Sequence, residues 1–131
     1  MENIKVLLVD DETEFVSTLT ERLNLRSFAA EMAGSGGQAL AMIKTFSPDV
    51  VLLDLKMPDM NGLDVLDRIR AIDPTIEVIM LTGHGAAGNG VEPSIKRGAF
   101  DYVLKPVAIT ELVEKIRHAG NRCRQTRKVV S

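Results

Sequence analysis

The stretch Val50-Val51-Leu52-Leu53-Asp54-Leu55-Lys56-Met57-Pro58 decides the fold. Its run of aliphatic residues, partly β-branched, makes a strand that is apolar on both faces, the kind that sits inside a parallel sheet. Pro58 has no N–H to donate, so the strand cannot continue as a central ladder member. Asp54 therefore stands where a strand stops and a loop begins. In an open α/β sheet that edge is the crevice where ligands bind. An Asp there also serves as an ordinary turn residue, so Asp54 alone settles no chemistry. The other strand ends have to be read with it.

On the N-terminal side, Ile4-Lys5-Val6-Leu7-Leu8-Val9 is a second buried strand, and it ends on Asp10-Asp11-Glu12. Phe15, Val16, Leu19 and Leu23 recur at helical spacing, which predicts a helix over Thr13–Leu25. Residues 28–33 form a weaker strand, placed toward an edge by its small residues and Glu31. Ser35, with Gln38 three residues on, reads as a capping box in which Gln38 reaches back. The helix behind it carries Ala39, Leu40, Met42, Ile43 and Phe46, and the central strand follows over 49–53.

On the C-terminal side, Asn61 caps a helix whose stripe is Leu63, Leu66 and Ile69, with Val65 and Ile72 beside it. Asp73-Pro74 ends that helix. A strand over 76–81 runs into Thr82-Gly83-His84-Gly85, and one over 100–104 runs into Lys105-Pro106. Ile109, Leu112, Val113 and Ile116 mark the last helix. After Gly120 the residues 121–131 turn polar and basic, and read as a tail or the start of a linker. Strand and helix alternate throughout. This predicts an α/β fold over 1–120: a single doubly wound domain, a five-stranded parallel sheet with helices on both faces.

The bulk numbers narrow the function classes. A length of 131 residues suits one domain with a full core. A formal net charge of −2 argues against a general electrostatic nucleic-acid binder. No apolar run approaches the length needed to span a bilayer. The N-terminus enters a strand pattern at once, so no signal peptide is expected and the expected location is cytoplasmic. A single cysteine, Cys123, excludes an internal disulfide framework and a Cys-based zinc site. In a polar tail it reads as incidental, and Arg122, Arg124, Arg127 and Lys128 read as a solvated end.

The strand ends, taken together, carry the chemistry. The first gives Asp10 and Asp11, the third Asp54, the fourth Thr82 and the fifth Lys105. In a parallel sheet these ends share one edge. Three carboxylates side by side repel, and a divalent cation relieves the repulsion. An all-oxygen set suits Mg²⁺ rather than zinc. Lysine and hydroxyl are left to hold an anion beside the metal. Those are the parts needed to receive a phosphoryl group on a carboxylate. Singly, each has a plainer explanation as a cap, a turn residue or a solvated charge.

The chain resembles the response-regulator receiver domains of two-component signalling, with likeness to the chemotaxis regulator. The matching pieces are Val9-Asp10-Asp11-Glu12, Leu53-Asp54-Leu55-Lys56-Met57-Pro58, Asn61-Gly62, Leu81-Thr82-Gly83, Gly98-Ala99-Phe100-Asp101-Tyr102 and Leu104-Lys105-Pro106. They span residues 4–118, and jointly form a specific signature. The resemblance implies the flavodoxin-like strand order 2-1-3-4-5, which periodicity alone does not give. It implies that Asp54 is the phosphoacceptor, taking its phosphoryl group from a phosphohistidine of a sensor histidine kinase or phosphotransfer protein, or from a small donor such as acetyl phosphate. Asp10 and Asp11 would hold Mg²⁺, with Asp54 and the Lys56 backbone carbonyl. Lys105 and the Thr82 hydroxyl would take phosphoryl oxygens, and Gly83 would leave them room. The Lys105–Pro106 bond would be cis. Lys56 and His84 would tune water access, and His84 is read as a rim residue rather than a catalytic one. Tyr102 would be the switch aromatic. Such a domain is a regulatory phosphoacceptor rather than a turnover enzyme. Its partners would be the kinase and a downstream effector, with a dimer formed on phosphorylation and nucleic acid reached only through an output domain. The chain is then either a stand-alone receiver or the receiver of a longer protein.

One stretch departs from the family pattern. Residues 83–90 hold four glycines in eight positions, each costing a helix about 1 kcal/mol relative to Ala. A long mobile loop is expected there, followed by a short fourth helix over 92–97 that ends at Gly98. Because the fourth helix, fifth strand and fifth helix form the family's usual signalling face, this bears on the partner surface. Three rival readings are weaker. An Asp-nucleophile phosphohydrolase commonly wants a second acid at position 56, where Lys56 stands. A flavin carrier on this fold wants a Ser/Thr/Gly phosphate loop where Asp10-Asp11-Glu12 stands. A degenerate receiver would lack one of the residues named above, and none is missing.

Overall fold

The computed structural model describes residues 3–83 and 91–130. Its elements are β1 (Lys5–Val9), α1 (Thr13–Leu25), β2 (Ala29–Ala33), α2 (Gly36–Phe46), β3 (Val50–Asp54), α3 (Gly62–Ile72), β4 (Glu77–Thr82), α4 (Val91–Lys96), β5 (Asp101–Leu104) and α5 (Ile109–Val130). The strands form one parallel sheet in the order β2-β1-β3-β4-β5. The expected order 2-1-3-4-5 and the placing of β2 at an edge are both found. β3, which carries Asp54, lies in the middle with all five residues buried.

The strands alternate their side chains between two apolar layers. Val6, Leu8, Val50, Leu52, Ile79 and Leu81 face α1 and α5, meeting Val16, Leu19, Leu23, Leu112 and Ile116. Leu7, Val9, Val51, Leu53, Val78 and Met80 face the other way, onto Ala39, Ile43, Val65, Leu66 and Ile69. The helix ends follow their sequence signals with small differences. Ser35 Oγ accepts from the Gln38 N–H at 3.1 Å, but Gln38 Oε1 reaches one residue further back than a capping box requires, to the Gly34 N–H at 2.8 Å. Asn61 Oδ1 accepts from the Leu63 N–H at 2.8 Å. Ile72, expected beside the buried stripe of α3, is 43% exposed.

The fourth helix is short, as expected, at six residues. Pro93 falls in its first turn, where a missing N–H costs nothing. Gly98 ends it at φ 100°, and its N–H donates to the Ile95 carbonyl at 3.0 Å. The expected loop over 83–90 falls, from His84 on, outside the described residues.

The largest difference lies at the C-terminus. α5 does not stop at Gly120 but continues to Val130. Cys123 is fully buried rather than set in a polar tail, and burial pushes its thiol up to about 11. The basic residues are not a solvated end either. Asp49, buried before β3, accepts from Arg127 Nη1 at 2.6 Å and Arg124 Nη2 at 3.3 Å, and from the Lys5 N–H at 3.0 Å. Arg127 also donates to Thr75 Oγ1 and the Pro48 carbonyl, and Arg122 pairs with Glu77 at 3.2 Å.

Candidate functional site

The carboxyl ends of the strands converge as the parallel order requires. Asp10 follows β1, and its N–H donates to the Ala33 carbonyl at 3.1 Å. Its side chain is fully buried, with Oδ1 accepting from the Glu12 N–H at 2.9 Å. Asp54 closes β3 and is 7% exposed. Its Oδ1 accepts from the Lys56 N–H over a long 3.4 Å. Asp11 lies exposed beside them, and one carboxylate oxygen from each of Asp10, Asp11 and Asp54 falls within 4.8 Å of the others.

Thr82 closes β4 and Lys105 follows β5, with the Lys105 N–H donating to the Thr82 carbonyl at 2.8 Å. The Lys105–Pro106 bond is cis. The Lys105 ammonium lies 2.7 Å from Asp10 Oδ2, 2.8 Å from Glu12 Oε1 and 4.0 Å from Asp54 Oδ2. It also sits 4.8 Å from the centre of the Phe15 ring. The approach to Asp10 has the distance of an ion pair without the direction of a hydrogen bond. Asp10 Oδ2 and Thr82 Oγ1 are thus buried polar atoms with no hydrogen bond among the described residues. Leaving such atoms unpaired costs free energy. Asp10 Oδ2 still has the Lys105 ammonium at 2.7 Å, so it is the Thr82 hydroxyl that marks this sheet edge as a place built for something polar.

The electrostatics agree. Burial, aided by the Asp10 charge, pushes the Asp54 carboxyl up to about 6, against the pull of Lys105 and the Lys56 N–H. Burial alone would lower the Lys105 ammonium, but the carboxylates of Asp10 and Glu12 outweigh it and hold Lys105 above its usual value. The cluster is short of positive charge, and its donors are hard oxygens. These residues fit Mg²⁺.

The loop after β3 is folded tightly against its own root. Lys56 and Asn61 form an isolated antiparallel bridge, and the Gly62 N–H donates to the Leu55 carbonyl at 3.0 Å. A Cβ at Gly62 would lie 2.5 Å from the Asp54 carbonyl oxygen, so only glycine permits this approach. At Gly83 a Cβ would meet no atom of the described residues within 4 Å. Tyr102 lies on β5, 37% exposed, with Lys115 Nζ donating to its carbonyl at 2.8 Å. His84 is outside the described residues. Sequence reasoning gave no role to Glu12, which shares Lys105 with Asp10. Its place in the acidic run was visible, but the partner lies 93 positions away.

A 2-1-3-4-5 parallel sheet with acids after β1 and at the end of β3, a hydroxyl at the end of β4 and a lysine after β5 defines a receiver-type α/β signalling domain. The chain belongs to the response regulator receiver domain family, whose model matches residues 6–117. Receiver domains are regulatory parts of two-component response regulators rather than turnover enzymes. Over 114 residues the chain is 37% identical to the probable transcriptional regulatory protein TcrX of Mycobacterium tuberculosis, covering 87% of this chain and 48% of that protein. It is 35% identical to sporulation initiation phosphotransferase F of Bacillus subtilis, covering 89% of this chain and 94% of that one. The crystal structure of a CheY-like receiver domain protein from Methanospirillum hungatei superposes with a TM-score of 0.86 at 31% identity, over 95% of this chain and 98% of that one. The chain spans about half or less of the length of TcrX and several other regulators it matches. No described helix is long and apolar enough to cross a membrane.

Proposed function

We propose that this chain is a phosphoacceptor whose Asp54 takes a phosphoryl group from a phosphohistidine on a sensor histidine kinase or phosphotransfer protein. The observation that carries the reading is the meeting, at one sheet edge, of three carboxylates, a lysine and a buried hydroxyl with no partner among the described residues. An oxygen of Asp54 attacks phosphorus, the phosphorus–nitrogen bond breaks, and the imidazole leaves. Asp10, Asp11, Asp54 and the Lys56 carbonyl are the residues to hold Mg²⁺, which when bound offsets the negative charge between carboxylates and phosphoryl oxygens. Lys105 exchanges its contacts with Asp10 and Glu12 for a phosphoryl oxygen, a short move from 4.0 Å. The Thr82 hydroxyl donates to another, which supplies the partner it lacks. Gly83 leaves space for the group, and Lys56 and His84 set how easily water returns to it.

The response is a change in the surface of α4, β5 and α5, with Tyr102 moving as Thr82 is drawn in. That surface meets a downstream effector, an output domain or a second copy, in the cytoplasm. Titration with beryllofluoride tests the reading. Saturable binding that needs Mg²⁺ and vanishes in Asp54→Asn is expected. Equal binding by the variant, or none by either protein, would remove Asp54 as acceptor.

A further inference from the structure

Asp59 lies in the loop after β3, five residues past Asp54, and its carboxylate is exposed. It nevertheless makes two directed contacts outside its own segment. Oδ1 accepts from the Gly36 N–H and Oδ2 from the Gly37 N–H, each at 3.1 Å. Those are the first two residues of α2, whose N–H groups have no partner inside the helix. These two bonds hold the Asp59 carboxyl below the usual carboxylate range. The tip of the loop is thereby fastened to a different element.

The root of the same loop is fastened separately, by the Gly62 N–H to the Leu55 carbonyl and by the Lys56–Asn61 bridge. Lys56 is itself part of the root fastening, and its N–H also donates to Asp54 Oδ1. Pinned only at its root, the loop would hold the Lys56 peptide through bonds inside the loop alone. With the tip held as well, its orientation relative to Asp54 is set before any ligand arrives. Metal sites depend on such outer partners, whose loss typically costs about 10–100-fold in affinity.

We propose that Asp59 is a positioning residue for the cation site: by bridging the loop tip to the N-terminus of α2 it fixes the Lys56 peptide beside Asp54. This rests on the phosphoacceptor reading, in which the Lys56 carbonyl is a ligand. The test uses the full chain in four forms: wild type, Asp59→Ala, Asp59→Asn and Ser35→Ala. Ser35 caps the same helix end through a hydrogen bond to the Gln38 N–H, within α2 rather than to the loop, so it isolates helix capping from loop tethering. Two quantities are read: the equilibrium Mg²⁺ dissociation constant by NMR titration, and the Mg²⁺ dependence of acetyl phosphate labelling.

Asp59→Ala is expected to weaken Mg²⁺ about tenfold, the low end of the outer-partner range. Its labelling rate at saturating Mg²⁺ should fall less than about twofold, because the acceptor and its lysine are untouched. Asp59→Asn, which keeps one acceptor, should lie between, and Ser35→Ala should bind Mg²⁺ as wild type does. Unchanged Mg²⁺ affinity in Asp59→Ala, or an equal loss in Ser35→Ala, would overturn the positioning role while leaving the phosphoacceptor reading intact. Failure of the wild type to bind Mg²⁺ would instead overturn the reading on which the role rests.

Discussion

Thr82 buries a hydroxyl that no described residue satisfies. Such a group costs a resting fold about 1–3 kcal/mol. Thr82→Val keeps the shape and removes the unpaired oxygen, so it should raise unfolding free energy by about 1 kcal/mol in a urea titration while weakening beryllofluoride binding. A stabilised protein with weakened binding is what a hydroxyl held in reserve for a ligand predicts. Asp54 makes a related argument through pH. Its folded value of about 6 lies above the ordinary 3.8. A raised acid opposes folding once it ionises: the native state is favoured in full below the unfolded value, and that stability is lost as pH rises through the folded one. An elevation of this size corresponds to ~3 kcal/mol in a dry site, and water at the sheet edge reduces this to about 1–2 kcal/mol. Without divalent cations, Asp54→Asn should therefore be more stable than wild type at pH 7.5 by that amount, with the gap closing toward pH 4. A gap that is constant across this range would contradict the placing of Asp54 in a desolvated acidic cluster. The identities of Asp10, Asp54, Thr82 and Lys105 were legible because each closes or follows a recognisable strand. The hold of Glu12 on Lys105 and of Asp59 on Gly36 and Gly37 was not, since neither partner is near in sequence.

At the scale of elements, β3 and its loop set the site. Gly62→Ala would drive a methyl group to 2.5 Å from the Asp54 carbonyl, where backbone must move. An unfolding free energy lowered by more than about 2 kcal/mol is expected, within the range for overpacking, together with loss of beryllofluoride binding. α5 gives the opposite lesson. Its residues past Gly120 look like a basic tail because Arg122, Arg124 and Arg127 read as solvent-facing. Their partners Glu77 and Asp49 come from the far end of the sheet, and a sequence window around the helix contains none of them. Deleting 121–131 would leave Asp49 buried without its arginines and would uncover the space held by Cys123. A loss of about 3 kcal/mol is expected, since removing the partners of a buried charge is costly, and thermal unfolding would show it as a fall of roughly 10 °C. α4 was legible almost to the residue, because proline and glycine act locally.

For the whole molecule, periodicity alone gave alternating strands and helices but left the strand order open. Five apolar segments can be wound into a sheet in several ways, and the order 2-1-3-4-5 came from the resemblance. That order puts β1 and β3 side by side at the centre, which is why acids 43 and 44 positions apart in the sequence share one crevice. A ligand that binds only the folded chain stabilises all of it. Mg²⁺ at about tenfold above its dissociation constant should raise wild-type stability by roughly 1.4 kcal/mol, and Asp54→Asn by much less. The most direct measurement is intact mass after incubation with acetyl phosphate and Mg²⁺, with Asp54→Asn alongside. One phosphoryl group added to the wild type, absent from the variant and absent after chelation, is the predicted result. An adduct of equal size on Asp54→Asn would contradict the account.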